Sequence, residues 1–446
     1  MSSGAPGAPD RVRVHPASLS GTVHVPGDKS VSHRCLMLGA LAGDEVRVSG
    51  LAPSGDVAST AAALRALGAT VELADDGEGR LVGVVRGPLR EATDVIDCGN
   101  SGTAMRLLAG IVAGIDGLAV LTGDASLRGR PVGRVARPLA QMGARIQARA
   151  GDDLPPLVVR GGSLRGTTYE QPHASAQVKS CVLLAGLWAE GPTTVVSPMP
   201  SRDHTERMLR HLGADVVVEV GDDLVERVTI TPGPLQAAPL HAPRDPSSAA
   251  FWQVAAAVQG TTITTPGVLD GETRNGALRV LLAMGARADV EDVAAGGSER
   301  VADVTLVGGD LTGGLTLGGR LVVDALDELP VLALAGAMSD AGLEVTDAAE
   351  LRVKESDRVA TTVAAMAALG VSMEARSDGY RVEGGQRPRG GHVDAAGDHR
   401  IAMTAAIAGA VGDAPVEISG FAAVATSYPT FLDDLTDLGG RVELLD

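Results

Sequence analysis

Lys29 and Arg34 stand five positions apart, with Ser30 and Ser32 between them and an apolar run behind. Cations and hydroxyls in the first turns of a helix suit a phosphate or a carboxylate. A solvated helix start would carry the same residues. Arg130 sits in a Gly129-Arg130-Pro131 turn, whose restricted backbone can hold a guanidinium at the mouth of a cleft; a surface-loop arginine is the alternative. The string Arg352-Val353-Lys354-Glu355-Ser356-Asp357-Arg358 is denser. On a helix, Lys354 and Arg358 would share a face at i,i+4 spacing, and Glu355 would have its ionisation tuned by the neighbouring cation. A salt-bridged surface helix is the competing reading. Asp327-Glu328 precedes Pro330, and Asp398-His399-Arg400 opens an apolar run. Helix capping accounts for either acid. Together, Lys29, Arg130, Arg358 and Arg400 with Asp327 and Glu355 match a site for two multiply charged anions, with general acid–base groups between them.

The elements that must position these residues recur along the chain. A helix end carrying Leu or Met, then Gly and a strand, appears six times, at Gly68, Gly143, Gly213, Gly285, Gly370 and Gly439. The period is roughly 70–85 residues. Glycine suits a helix stop that needs positive φ, and the alternation after it, as in Thr70-Val71-Glu72-Leu73, has the strand period. Each unit also holds a more apolar helix behind a polar loop, opened by Ser, Asn, Asp or Pro; runs such as 181–188 and 331–338 are apolar all round and are expected to be buried. Six βαβ-type units fall into two groups of three, divided at the Pro-rich stretch 238–246. Helices whose N-termini share an end would turn their positive dipole ends toward an anion. A binding scaffold built as a solenoid fits less well, because solenoid repeats are usually about 20–50 residues long.

The bulk composition agrees with a large α/β protein. Of 446 residues, 45% are hydrophobic and only 2% aromatic, so the interior must be built from Ala, Val and Leu. A net charge of −17 without a basic run disfavours a nucleic-acid partner. Cys35, Cys98 and Cys181 are far apart and read as buried free thiols in a reducing compartment. The stretch 1–10 lacks the basic and apolar segments of a signal peptide, and the apolar run 107–121, broken by Gly and Asp116, falls short of the roughly 18 residues that span a bilayer. A cytoplasmic location is expected, with no membrane partner. The nine histidines lack ligand spacing, so no metal is expected.

Four segments carry a resemblance. The string from Pro26 to Arg34 (PGDKSVSHR) resembles the N-terminal signature of the 5-enolpyruvylshikimate-3-phosphate synthases, and Gly99 to Arg106 (GNSGTAMR) their central one. Leu351 to Arg358 (LRVKESDR) and Gly397 to Arg400 (GDHR) resemble the C-terminal signatures. The likeness runs from about Val14 to Glu443. It implies an α/β fold, a two-domain inverse α/β barrel with three βαβαββ repeats per domain around buried helices. Residues 1–13 would be a disordered tail, 24–242 the first domain, and 14–23 plus 243–446 the second, with the active site in the cleft between them. The implied reaction transfers the enolpyruvyl group of phosphoenolpyruvate to the 5-hydroxyl of shikimate 3-phosphate, with no cofactor. The likeness places shikimate 3-phosphate on Lys29, Ser30, Arg34, Ser175, Ala176, Gln177, Ser201, Arg202, Asp327 and Lys354. It places phosphoenolpyruvate on Lys29, Asn100, Gly102, Arg130, Gln177, Arg358 and Arg400. Lys29, Asp327 and Glu355 would be the catalytic groups.

Three departures from the family pattern stand out. Glu350 occupies a position where some members carry Asn, Thr426 one where some carry Lys, and Arg202 follows a second subtype in which Arg replaces Tyr near the shikimate ring. Gly102 implies room for the inhibitor glyphosate. A monomer is expected. The sister family, the UDP-N-acetylglucosamine enolpyruvyl transferases, usually has Lys-Asn where this chain has Lys29-Ser30, and a reactive Cys or Asp in the loop that here holds Asp124. An inactive anion-binding protein of the same fold is the alternative from another class.

Overall fold

The computed structural model describes residues 9–293 and 297–445 of the chain. Of the tail expected over 1–13, residues 1–8 lie outside the described residues. Arg11–His15, by contrast, is a β-strand. Its alternation explains the difference: Val12 and Val14 are fully buried, while Arg11 and Arg13 pair with Glu417 on a neighbouring strand, and Arg13 also reaches Glu443 at 2.7 Å.

Two compact units divide the chain, one formed by Lys29–Ala242 with Gly296–Glu299, the other by Met1–Asp28, Pro243–Ala295 and Arg300–Asp446. The break at Ala242/Pro243 falls within the Pro-rich midpoint, and the first crossover comes at Asp28/Lys29 rather than at residue 24. We call them the continuous and the split unit.

The continuous unit holds three four-stranded sheets. Their orders are Leu240–His241, Val46–Leu51, Leu81–Arg86, Thr70–Asp75; then Ile96–Asp97, Leu118–Thr122, Leu154–Arg160, Arg145–Ala148; then Thr168–Glu170, Thr193–Ser197, Glu226–Ile230, Val216–Val220. Each has one parallel edge pair followed by two antiparallel pairs. The split unit repeats this arrangement with Gly21–Thr22, Thr262–Leu269, Val301–Val307, Arg287–Val293; Leu315–Leu317, Leu343–Val345, Gly379–Val382, Met373–Arg376; and Gly391–Asp394, Val416–Ser419, Arg11–His15, Arg441–Leu445. In that last sheet the N-terminal strand takes the third place.

The six repeat glycines all follow a helix C-cap and all have positive φ, from 77° at Gly370 to 108° at Gly143. A Cβ is disfavoured there, which is why the signal was strong. Behind the sheets lie helices buried on every side: Lys29–Leu41, Gly102–Ala113 and Ala176–Gly186 in the continuous unit, and Pro246–Gln259, Leu329–Met338 and His399–Val411 in the split unit. Gly110 lets the second of these lie against the Cys181 carbonyl of the third, an approach a side chain would block. The run 181–188 is not buried throughout. Its helix ends at Gly186 and Trp188 is exposed, because the chain turns there into the strand Ala189–Glu190. Cys35, Cys98 and Cys181 are buried free thiols. Among the described residues no helix is long and apolar enough to cross a membrane.

Candidate active site

In the continuous unit, three buried helices begin with the polar loops singled out in the sequence. Lys29 is the first residue of its helix and pairs with Asp56 at 3.0 Å. Arg34, one turn deeper, donates to the Ser30 carbonyl (2.9 Å), Thr205 Oγ1 (2.7 Å) and Ser180 Oγ (2.8 Å). Ser101 caps the second helix by accepting from Ala104 N, and Ser175 caps the third by accepting from Val178 N. Asn100 and Arg130 meet directly, Nη2 to Oδ1 at 2.7 Å, with Ser126 Oγ at 3.1 Å from the same nitrogen. Gln177 accepts from Arg106 Nη1 at 2.7 Å and donates to Thr103. Gly102 lies over this pair of arginines: a Cβ there would sit 2.8 Å from Arg106 Nη1 and 3.5 Å from Arg130 Nη1. Ser201 is buried in the loop that precedes the helix His204–His211, with Arg202 beside it partly exposed.

The split unit gathers the carboxylates. Arg358 is buried at 2% exposure and contacts Asp327 (3.1 Å), Glu355 (2.7 Å) and Asp398 (2.9 Å). Burial works against its charge, but Asp398, Glu355 and Asp327 outweigh that and hold the guanidinium above its ordinary pKa. Lys354 reaches the same Asp327 oxygen at 3.3 Å. The expected shared helix face for Lys354 and Arg358 is not what joins them. Lys354 ends a short 3-10 turn (Ala349–Val353), and a new helix starts at Arg358, because Asp357 caps it through Ala360 N. Asp327 joins the two cations instead. Asp398 caps its own helix through Arg400 N while also binding Arg358. Arg400 donates to the Ser247 carbonyl at 3.2 Å and stands 5.8 Å from the Phe251 ring centroid.

The split unit's cluster therefore unites Asp327, Lys354, Glu355, Arg358 and, through Asp398, Arg400. The family description EPSP synthase (3-phosphoshikimate 1-carboxyvinyltransferase) matches residues 14–435. The 3-phosphoshikimate 1-carboxyvinyltransferase of Herpetosiphon aurantiacus is 47% identical over 421 residues, 94% of this chain and 96% of that protein. This chain belongs to the EPSP synthase family. A Roseiflexus 3-phosphoshikimate 1-carboxyvinyltransferase is 46% identical over 96% of this chain and 98% of its own length. The solved EPSP synthase of Acinetobacter baumannii superposes with a TM-score of 0.83 at 38% identity, covering 98% of this chain and 100% of that one. The enolpyruvyl transferase NikO of Streptomyces tendae, at 21% identity and a TM-score of 0.75, shares the fold.

Four polar residues of these EPSP synthase clusters escaped the sequence reading. Asp398 was noticed only as a cap, and Asp56 carried no local signal. Arg106 and Lys179 stand at the ends of polar helix starts, just before the apolar runs 107–121 and 181–188, and the sequence reading gives neither a role. A single cation spaced on one turn behind a polar loop, Arg106 behind 99–103 and Lys179 behind 173–177, is the pattern that could have found both. Among the described residues no group of three or more His, Cys, Asp or Glu is placed to hold a metal ion.

Proposed function

We propose that this chain transfers the enolpyruvyl group of phosphoenolpyruvate to the 5-hydroxyl of shikimate 3-phosphate and releases phosphate, a step toward chorismate and the aromatic amino acids. The observation that carries the reading is Asp327, an acceptor within reach of both Lys354 and Arg358, with Glu355 on the same guanidinium. The 5-hydroxyl must lose a proton as its oxygen bonds to C2 of phosphoenolpyruvate, while C3 gains one. The tetrahedral intermediate then gives up the C3 proton and expels phosphate. Asp327 holds and helps deprotonate the hydroxyl; Glu355 and Lys29 serve the C3 proton and the leaving phosphate. Arg130, Arg358 and Arg400 clamp the carboxylate and phosphate of phosphoenolpyruvate, and Asn100, Gly102 and Gln177 line its place. Ser30, Arg34, Ser175, Ala176, Gln177, Ser201, Arg202 and Lys354 take shikimate 3-phosphate.

The inverse α/β barrel with three βαβαββ repeats per domain belongs to the same reading. It is supported by six sheets of one pairing pattern and six left-handed glycines. So do a monomeric state, a cytoplasmic location and inhibition by glyphosate, the last supported by a glycine at 102. Ser30, where the sister family usually has Asn, with Arg34 and the string Arg352 to Arg358, favours this reading over the sister reaction on UDP-N-acetylglucosamine. Asp124, which matches that family's Cys or Asp position, does not separate the two; its carboxylate accepts from Asn100 Nδ2 (2.7 Å) and Leu127 N (2.8 Å). The test is phosphate release from phosphoenolpyruvate with shikimate 3-phosphate or UDP-N-acetylglucosamine as acceptor. Release with shikimate 3-phosphate alone, abolished in Lys29→Met, is expected. Release with the sugar nucleotide alone moves the chain to the sister reaction, and silence with both favours an anion-binding protein.

A further inference from the structure

The continuous unit contains a charged group that the mechanism above does not use. Lys179 lies on the buried helix Ala176–Gly186 and is fully buried. Its ammonium sits 2.7 Å from Glu206 Oε1, 2.7 Å from Glu226 Oε2 and 3.3 Å from the Ser201 carbonyl oxygen. Of the ammonium's three donors, two are met by hydrogen bonds to Glu226 and the Ser201 carbonyl, and Glu206 pairs with its charge. Burial works against its charge, yet the two glutamates outweigh it and raise its pKa; at Glu226 burial prevails over Lys179 and pushes the carboxyl up.

Such a group is a poor way to gain stability. A buried ion triad replaced by apolar side chains of equal volume often costs nothing, so its presence points to a geometry that must be kept. The geometry in question is the loop holding Ser201. That residue is 2% exposed, and its hydroxyl has no hydrogen-bond partner among the described residues, a costly state for a buried polar group unless something else satisfies it. The next residue on the helix, Ser180, binds Arg34 Nη2 (2.8 Å) and Thr205 Oγ1 (2.7 Å), and Thr205 also accepts from Arg34 Nε (2.7 Å). The segment from Ser201 to Glu206 is thus tied to one helix by Lys179 at both ends and by Ser180 between.

We infer that Lys179 is a positioning residue for the acceptor substrate: its ammonium, seated between Glu206 and Glu226, fixes the Ser201 carbonyl and thereby holds the Ser201 hydroxyl for the phosphate or ring oxygens of shikimate 3-phosphate. The inference rests on the proposed function. It assigns Lys179 to acceptor recognition and leaves phosphoenolpyruvate to other groups.

Lys179→Met alone would bury two unpaired glutamates and can fail through misfolding, so the decisive variant is Lys179→Met combined with Glu206→Gln and Glu226→Gln, beside Glu226→Gln alone. Steady-state KM for each substrate, shikimate 3-phosphate binding by calorimetry and melting temperature are measured on all three proteins. The expected result is a folded triple variant whose KM and Kd for shikimate 3-phosphate rise about tenfold or more, the size of one charged hydrogen bond. Its KM for phosphoenolpyruvate changes less than about twofold, and Glu226→Gln, which weakens the seat without removing the ammonium, raises KM for shikimate 3-phosphate by less than the triple variant does. A folded triple variant with wild-type KM and Kd for shikimate 3-phosphate overturns the inference, as does an equal rise for both substrates. Failure of the wild-type protein to bind shikimate 3-phosphate would instead overturn the proposed function, and this inference with it.

Discussion

Arg130 and Arg358 are both buried guanidiniums assigned to phosphoenolpyruvate, yet their surroundings differ in kind. The hydrogen bonds described for Arg130 run to the Asn100 amide and the Ser126 hydroxyl; those of Arg358 run to the carboxylates of Asp327, Glu355 and Asp398. At Arg130 the hydrogen bonds to Asn100 and Ser126 fix the guanidinium's orientation without themselves answering its charge. A guanidinium held by three carboxylates has its charge already answered, and must exchange a partner when the anion arrives. The contrast is therefore between a guanidinium oriented by neutral groups and one bound by carboxylates. Under the proposed function, the carboxylate that Arg358 gives up to phosphoenolpyruvate is the one left to handle a proton.

The largest test of this contrast is Arg358→Met against Arg130→Met. The first leaves three carboxylates facing one another and is expected to lose roughly 3–5 kcal/mol of stability. The second, losing the hydrogen bonds to Asn100 and Ser126, is expected to lose less, about 1–2 kcal/mol, and to act mainly on KM for phosphoenolpyruvate. Urea unfolding with steady-state kinetics decides it, and equal losses of stability would break the contrast. Adding Asp398→Asn to Arg358→Met should recover part of the stability and none of the activity.

Next in size, Glu355→Gln keeps a hydrogen-bonding side chain at Arg358 but cannot carry the proton. Its kcat should fall by about 10²-fold or more with little change in melting temperature. A variant with wild-type kcat would remove Glu355 from the chemistry. Gly102→Ala is smaller: its methyl would push Arg106, which is anchored to Gln177 and the Pro131 carbonyl. KM for phosphoenolpyruvate should rise about five- to tenfold, as for modest overpacking, and glyphosate inhibition should weaken further. An unchanged KM would show that Arg106 yields freely.

The smallest effect concerns Asp203, whose carboxyl lies below its ordinary value; burial opposes this, but Arg207 at 2.6 Å outweighs it. A depressed acid stabilises the fold above its unfolded pKa, about 3.9, and that contribution is lost as the pH falls through the lower folded value. Asp203→Asn should therefore lower the urea midpoint at pH 7, and the gap to wild type should close in acid. A gap of unchanged size once the folded-state carboxyl is protonated would mean the charge is not responsible.

Much of the frame was legible in the residues because it depends on local backbone needs. A glycine at positive φ and a Ser or Asp cap each leave a fixed mark, hence Gly68 to Gly439, Ser101, Ser175, Asp245 and Asp398. The cations at 29, 34, 130, 358 and 400 were legible for the same reason, since they sit at or near helix starts. What escaped depends on distant partners. Nothing within 11–15 tells that this strand lies between 416–419 and 441–445. Nothing around Lys179 tells that Glu206 and Glu226 will enclose it. The i,i+4 reading of Lys354 and Arg358 failed at Asp357, whose capping role competes with continuing the helix.

The placement of Arg11–His15 also bears on how the protein is made. Its partner strand Arg441–Leu445 lies some 430 positions later, as the Arg13–Glu443 pair shows. During synthesis, which proceeds at roughly 5–20 residues per second, nearly all of the continuous unit has left the ribosome before the split unit's last sheet can form. The first strand must wait, unpaired, for the greater part of translation. Val12 and Val14, fully buried in the finished sheet, are then exposed apolar groups on a strand edge, and Arg11 and Arg13 become the charges that keep that edge soluble until its partners arrive.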